Sequence, residues 1–243
     1  MKLFPLLLIL FLPLSLMAQK KEPDITYYFY RKEITKPPFG LDKVQQLIAS
    51  ASKSQKTGDT IFMGWFENLA LSDKDYNALS IKEKFTYNMI HAEWFSQNCS
   101  IRPSFHDKEI PGYLPDAFDL RAWSTRQTDF LTKNRDFVMR TIEETVKSSK
   151  RLGLNYKHAI VEIKGLEMIP FIIKLYSLDH KDIDILTVLL QLMREAKYPL
   201  FTASETYASL YGPKSRYTNF LVFNKANEEL IIKYATDFYN SRK

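Results

Sequence analysis

The chain has 243 residues, 45% hydrophobic and 14% aromatic, with one cysteine, 7 glycines and a formal net charge of +6. That apolar content supports a core for one domain without an intramolecular disulfide, and so few glycines argue against a turn-dense β-sandwich. The basic balance does not point to nucleic acid, because acids are mixed among the bases, as in Lys20-Lys21-Glu22, Arg31-Lys32-Glu33 and Lys82-Glu83-Lys84.

Residues 1–18 read as a signal peptide. Met1-Lys2 supplies the positive start, Leu3–Leu16 is apolar, and Met17-Ala18-Gln19 offers a cleavage point after Ala18 or Gln19. The run is shorter than the roughly 20 apolar residues a membrane-spanning helix needs, and it carries Pro5 and Pro13. The expected location is therefore outside the cytoplasm, periplasmic or extracellular, with no integral membrane span after cleavage. Cys99 is the only cysteine, so no lipid anchor follows the apolar run.

Residues 19–39 form an expected N-terminal arm. From residue 22 it is aromatic and β-branched and ends at Pro37-Pro38, so it reads as extended, with Asn219–Phe223 as a candidate partner strand. After Gly40, the positions Leu41, Val44, Leu47, Ile48 and Ala51 share one helical face. Ser80-Ile-Lys-Glu83 is a capping box that opens a helix to about Ser96. Residues 98–123, with Pro103, Pro111, Gly112 and Pro115, are the longest irregular stretch. One helix is predicted from Thr125 to Lys150, ended by a left-handed Gly153.

Beyond Asn155 the pattern predicts a short helix over His158–Lys164 and a second over Glu167–Leu178, with Pro170 in its first turn. A third is capped by Asp179 and runs to about Lys197. There Asp184, Thr187, Gln191 and Arg194 form a narrow polar stripe on an otherwise apolar helix. Ser204–Tyr211 and a final helix capped by Asn224 complete the chain. The fold class is thus all-α: one helical domain over residues 40–243 built of packed αα-hairpins, an extended arm, and room for a small two-stranded element.

The stretch Ala159-Ile-Val-Glu-Ile, Met168-Ile-Pro-Phe-Ile-Ile-Lys-Leu and Leu189-Leu-Gln-Leu-Met resembles the helix pairs of HEAT-type repeat proteins. It covers about 40 residues and has no second copy at a fixed period. The resemblance implies stacked helix pairs and an extended protein-binding face. It assigns no residue a role.

Candidate chemistry is sparse. His91, Glu93, Cys99 and His106 could supply a thiol nucleophile with a base and an acid, but on one helix His91 and Glu93 point about 200° apart. His158 and Glu162 lie four residues apart, the spacing of half a metal site or of an ordinary helix pair. Asp179, Asp182 and Asp184 lack the glycine-centred loop and terminal glutamate of a calcium site. No Gly-x-Ser-x-Gly elbow or phosphate-cradling glycine loop occurs. Tyr27, Tyr28, Phe29, Tyr30, Trp65, Phe66, Tyr113 and Trp123 suit either a core or a binding surface. The sequence therefore points to no cofactor and no metal. The expected function is that of an exported, non-catalytic helical protein binding a protein partner as scaffold or accessory subunit. The alternatives are a hydrolase using His106, Asp107, Glu109 or Cys99 with His91 in the 98–123 region, and a sugar- or lipid-binding protein.

Overall fold

The computed structural model describes residues 25–54, 70–96 and 107–242, and these are mostly helical. The expected signal peptide, Trp65, Phe66, Cys99 and His106 lie outside the described residues. Among those described, no helix is long and apolar enough to cross a membrane.

The first element corrects the sequence expectation. Ile25–Lys32 is helical (α1), and only residues 33–39 run extended. The aromatic run favours a strand in isolation, but β-propensity reflects packing surroundings more than backbone preference. As a helix the segment puts Tyr27 and Arg31 one turn apart, so both turn inward together. The extended residues do lie across the helices. Thr35 N–H donates to the Asn155 side chain at 3.0 Å, and Leu154 N–H donates to the Glu33 carbonyl at 2.9 Å.

Three helices then pack into a small cluster: α2 (Leu41–Ser54), α3 (Asp73–Ala78) and α4 (Ile81–Ile90). Val44, Leu71, Tyr76, Leu79 and Tyr87 form its interior. The capping box is present: Ser80 Oγ accepts from Glu83 N–H at 3.3 Å, and Glu83 accepts in return from Ser80 N–H at 2.9 Å. Helix α4 stops at Ile90, six residues short of the expected Ser96. His91 leaves the helix in extended geometry, and Trp94–Phe95 (β1) pairs antiparallel with Arg121–Ala122 (β3). A second antiparallel pair joins Glu109–Pro111 (β2) to Phe220–Val222 (β4). The 219–223 segment thus pairs as a strand, with the 109–111 segment rather than the arm.

The predicted 125–150 helix is two helices, α5 (Thr125–Lys133) and α6 (Arg135–Ser149). Asn134 breaks it, its side-chain amide donating to the Phe130 carbonyl at 2.8 Å in competition with the backbone ladder. Lys150 (φ 56°), not Gly153, takes the left-handed position that ends α6. Gly153 is required for a different reason. A Cβ there would sit 2.0 Å from the Thr35 backbone nitrogen, so only glycine lets the arm approach α7 (Leu154–Glu162).

A 3-10 turn (Leu166–Met168) leads into α8 (Ile169–Tyr176), with Pro170 in the first turn as expected. Helix α9 spans Asp184–Glu195, starting five residues after the expected cap at Asp179. It is buried from Asp184 to Met193 on every side, so the expected polar stripe is interior too, apart from half-buried Arg194. Helix α9 packs against α7, α8, β2 and α12 (Lys225–Asn240), with α10 (Pro199–Thr202) and α11 (Glu205–Tyr211) between. In α12, Ile231 and Phe238 are buried, whereas Leu230 is exposed.

Two predictions follow from these local fits. Gly153→Ala should lower stability by roughly 1–3 kcal/mol, the usual range for overpacking, in urea denaturation. Gly165→Ala, whose nearest neighbour would be 3.3 Å away, should cost less. Lys43 and the Ser80 cap together hold the Glu83 carboxyl down, from an ordinary 4.5 to about 2. Its contribution to stability is therefore complete above the unfolded value and lost as pH falls through the folded one. Glu83→Gln keeps a capping side chain, and its stability should decline less steeply than wild type as pH falls from neutral toward about 2.

Candidate functional site

Asp184 in the first turn of α9 and Asp182 just before it are buried in an apolar interior, where each needs a partner. Arg31, buried on α1, grips Asp184 with Nε 3.1 Å from both carboxylate oxygens and Nη2 2.6 Å from one. Lys157 of α7, fully buried, donates to Asp182 at 2.5 Å and stands 3.8 Å from Asp184. Two acids and two bases thus meet where α1, α7 and the start of α9 join. Burial pushes both carboxyls up. For Asp184, Arg31 and Lys157 outweigh it and hold the group below the usual carboxylate range. For Asp182, burial prevails over Lys157, and the proximity of Asp184 adds to it.

A cleft of about 310 Å³ opens above this set, between the end of α6, the end of α8 and the 178–182 turn. Asp182 lies in its wall beside Tyr30 and Arg151, whose guanidinium stacks 3.7 Å from the Tyr30 ring centroid. Burial and nearby Asp182 push the Tyr30 hydroxyl up to about 12, so it stays protonated. A second hollow of about 270 Å³, floored by Val146, Phe171 and Leu175, shares Lys150, Leu175 and Leu178 with the first. Together they make one trough. Lys147, Lys150, Lys174 and Lys181 rim it, and Leu178 stands 66% exposed at its centre. Lys147 has Glu143 at 3.6 Å. For Lys150, Lys174 and Lys181 no carboxylate lies within ion-pair distance among the described residues.

A separate cleft of about 250 Å³ is built from the 116–123 loop against α7. It gathers His158 and Glu162 beside Arg121 and the Phe118–Trp123 ring pair, whose centroids are 5.6 Å apart. The helix spacing read from sequence does bring His158 and Glu162 to one cavity. The His158 ring is tied through Nε2 to the Pro115 carbonyl at 2.7 Å, and burial depresses its pKa. Burial, with Glu195 nearby, raises that of Glu162.

Of the other sequence candidates, His91, Glu93, Asp107 and Glu109 lie outside these clefts. His91 packs its ring 5.1 Å from Tyr87. Glu93 is buried under Arg126, which contacts it at 2.5–3.0 Å, and accepts from Tyr87 Oη at 2.8 Å and from Ser124 Oγ. Gln127 pins the same turn, donating to the His91 carbonyl at 2.9 Å and accepting from Glu93 N–H at 3.1 Å. This constellation is a structural knot. Asp107 is in a turn and Glu109 in β2. Asp179 is an exposed turn residue accepting from Lys181 N–H at 3.0 Å. Among the described residues, no group of three potential metal ligands is assembled. Of the aromatic candidates, Phe29 is 64% exposed, while Tyr27, Tyr28, Tyr30, Tyr113 and Trp123 are half-buried.

Sequence reasoning missed Arg31 and Lys157 as partners of Asp184 and Asp182. The legible signal was Asp184 within Ile183, Ile185 and Leu186, where a buried acid requires a cation from elsewhere in the chain. No protein-family model, curated protein or solved structure matches the chain.

Arg31→Met strands Asp184 in the interior and should cost about 3–5 kcal/mol, the range for breaking a buried pair. The double variant Arg31→Met/Asp184→Leu should recover most of that loss in thermal or chemical denaturation. If the double were as unstable as the single, the pair would not be the origin of the defect.

Proposed function

We propose that this chain is an exported, non-catalytic helical protein that acts by binding a protein partner, as a scaffold or accessory subunit outside the cytoplasm. One observation carries this reading: the buried acids Glu93, Asp182 and Asp184 and the buried bases Arg31 and Lys157 are committed to internal bonds, while a basic, apolar trough lies open at the surface. Glu93, Lys157, Asp182 and Asp184 are each bonded by a neighbour of opposite charge or by hydrogen bonds. The rim lysines are exposed. The arrangement of α7, α8 and α9 as packed hairpins belongs to the same proposal, since stacked pairs leave helix ends and one face available to a partner.

A hydrolase is the second reading, and the 116–123 cleft is what favours it, since it sets His158 and Glu162 beside Arg121. It ranks below the first because the His158 Nε2 is already committed to a backbone carbonyl.

Crosslinking the native protein in its own envelope fraction should yield a defined heteromeric species. Recovery as a monomer alone, or ester or glycoside turnover abolished by Glu162→Gln, would displace the binding reading.

A further inference from the structure

We infer that the trough between the C-terminal ends of α6 and α8 is the docking site for an acidic, amphipathic segment of a partner protein, a peptide carrying carboxylates beside an apolar side chain. The inference rests on the binding reading above and names the surface and the chemistry of its occupant.

Charge complementarity selects the occupant. Lysines near helix C-termini ordinarily offset the negative end of the dipole, worth about half a charge at each end. Here Lys147, Lys150, Lys174 and Lys181 bring four full charges to one opening, and only Lys147 has an acid within ion-pair distance among the described residues. The surplus is positive. Between them lie Leu175 and the largely exposed Leu178, so the surface asks for apolar contact as well as anions. Nucleic acid satisfies the charges but not the leucines.

Shape decides between the amphiphiles. A bilayer surface is broad and flat, whereas this opening is a concave trough of two joined hollows of about 310 and 270 Å³. A fatty-acid chain requires an enclosed apolar tunnel to bury most of its surface, and these hollows are open to solvent along one side. A peptide fits both features, with an apolar side chain over the Leu175–Leu178 ridge and carboxylates reaching the lysines. The trough also has a direction. Asp179 and Asp182 wall the end beneath Tyr30, so the carboxylates belong toward Lys150 and Lys174, in the hollow that contains no acid.

The test uses the mature full-length protein and a fluorescein-labelled synthetic peptide with leucines on one helical face flanked by glutamates, followed by anisotropy. Lys150→Glu/Lys174→Glu should weaken binding at least about tenfold, since each reversal removes an attraction and adds a repulsion. Leu178→Asp should weaken it comparably. Lys74→Glu/Lys214→Glu, the same change in net charge away from the trough, should leave it within about twofold. All the substituted side chains are exposed, and circular dichroism confirms that each variant is folded. Equal weakening by the control pair, or polyglutamate binding as tightly as the peptide, would reduce the trough to a nonspecific basic surface and overturn the assignment. So would preferential binding to phosphatidylglycerol vesicles, or dimerisation through the trough on gel filtration. In the envelope crosslinking experiment, a partner captured equally by wild type and Lys150→Glu/Lys174→Glu overturns the trough and leaves the binding reading standing. Capture by neither form, with peptide binding intact, sinks that reading and not the trough.

Discussion

The Arg31–Asp184 contact is the interaction on which the rest of the structure depends. A carboxylate at the head of a helix buried on all sides is tolerable only if a cation reaches it through the core. The other cation near Asp184, Lys157 of α7, bonds Asp182 and stands 3.8 Å from Asp184, so it is shared between two acids. The second positive charge must come from the N-terminal segment. That need fixes α1 as a helix, sets its rotation so that Arg31 and Tyr27 face inward, and draws residues 33–39 across the start of α7. Lys32 then follows to the 116–119 turn, bonding the Asp116 carbonyl at 2.8 Å and Asp119 at 2.9 Å. One charge requirement therefore organises contacts among segments more than 150 residues apart in sequence.

The same logic recurs around Glu93. It too is an acid in the interior, and Arg126 is drawn to it from α5 while also bonding Asp73 and the Leu71 carbonyl. Each network joins elements that hydrophobic packing alone would leave free to slide, since apolar surfaces specify contact but little register. Buried ion pairs give modest net stability compared with an apolar replacement, and their best-attested use is specifying one arrangement over others. This chain's interior acids fit that description. His91 and Glu93 make the point concretely: the motif-like spacing that suggests chemistry in sequence is, in three dimensions, one half of a clasp.

How much of this was legible depended on the range of the interaction involved. The Ser80 capping box, the Asn224 cap and the Pro170 start were readable because each is settled within four residues. The all-α character was readable because apolar periodicity repeats over whole helices. Two errors share another origin. The extended reading of 25–32 and the cap at Asp179 both concern segments whose surroundings Arg31, Lys157 and their acids help to build, and that is a tertiary fact. The strand-prone run is a helix whose Arg31 bonds Asp184. The polar stripe on α9 is interior, with Asp184 held by Arg31 and Thr187 donating to the Pro111 carbonyl at 2.8 Å. The lysines of the trough are each visible in sequence. The convergence of Lys147 and Lys150 with Lys174 and Lys181 needed the packing of α6 beside α8.

The buried charges and the surface trough also bear on each other. Asp182 belongs to both, bonded to Lys157 on its inner side and forming the trough wall on its outer side. An anion placed at that end would face a carboxylate whose charged form burial already disfavours. The same anion beside Lys150 and Lys174 faces a lining of lysines and apolar side chains. The internal network therefore imposes a polarity on the surface, because Asp182, which engages Lys157 while Asp184 takes Arg31, also walls one end of the trough. A fold built around paired interior charges thus leaves its exterior lysines available and also sets the direction from which an acidic partner can approach them.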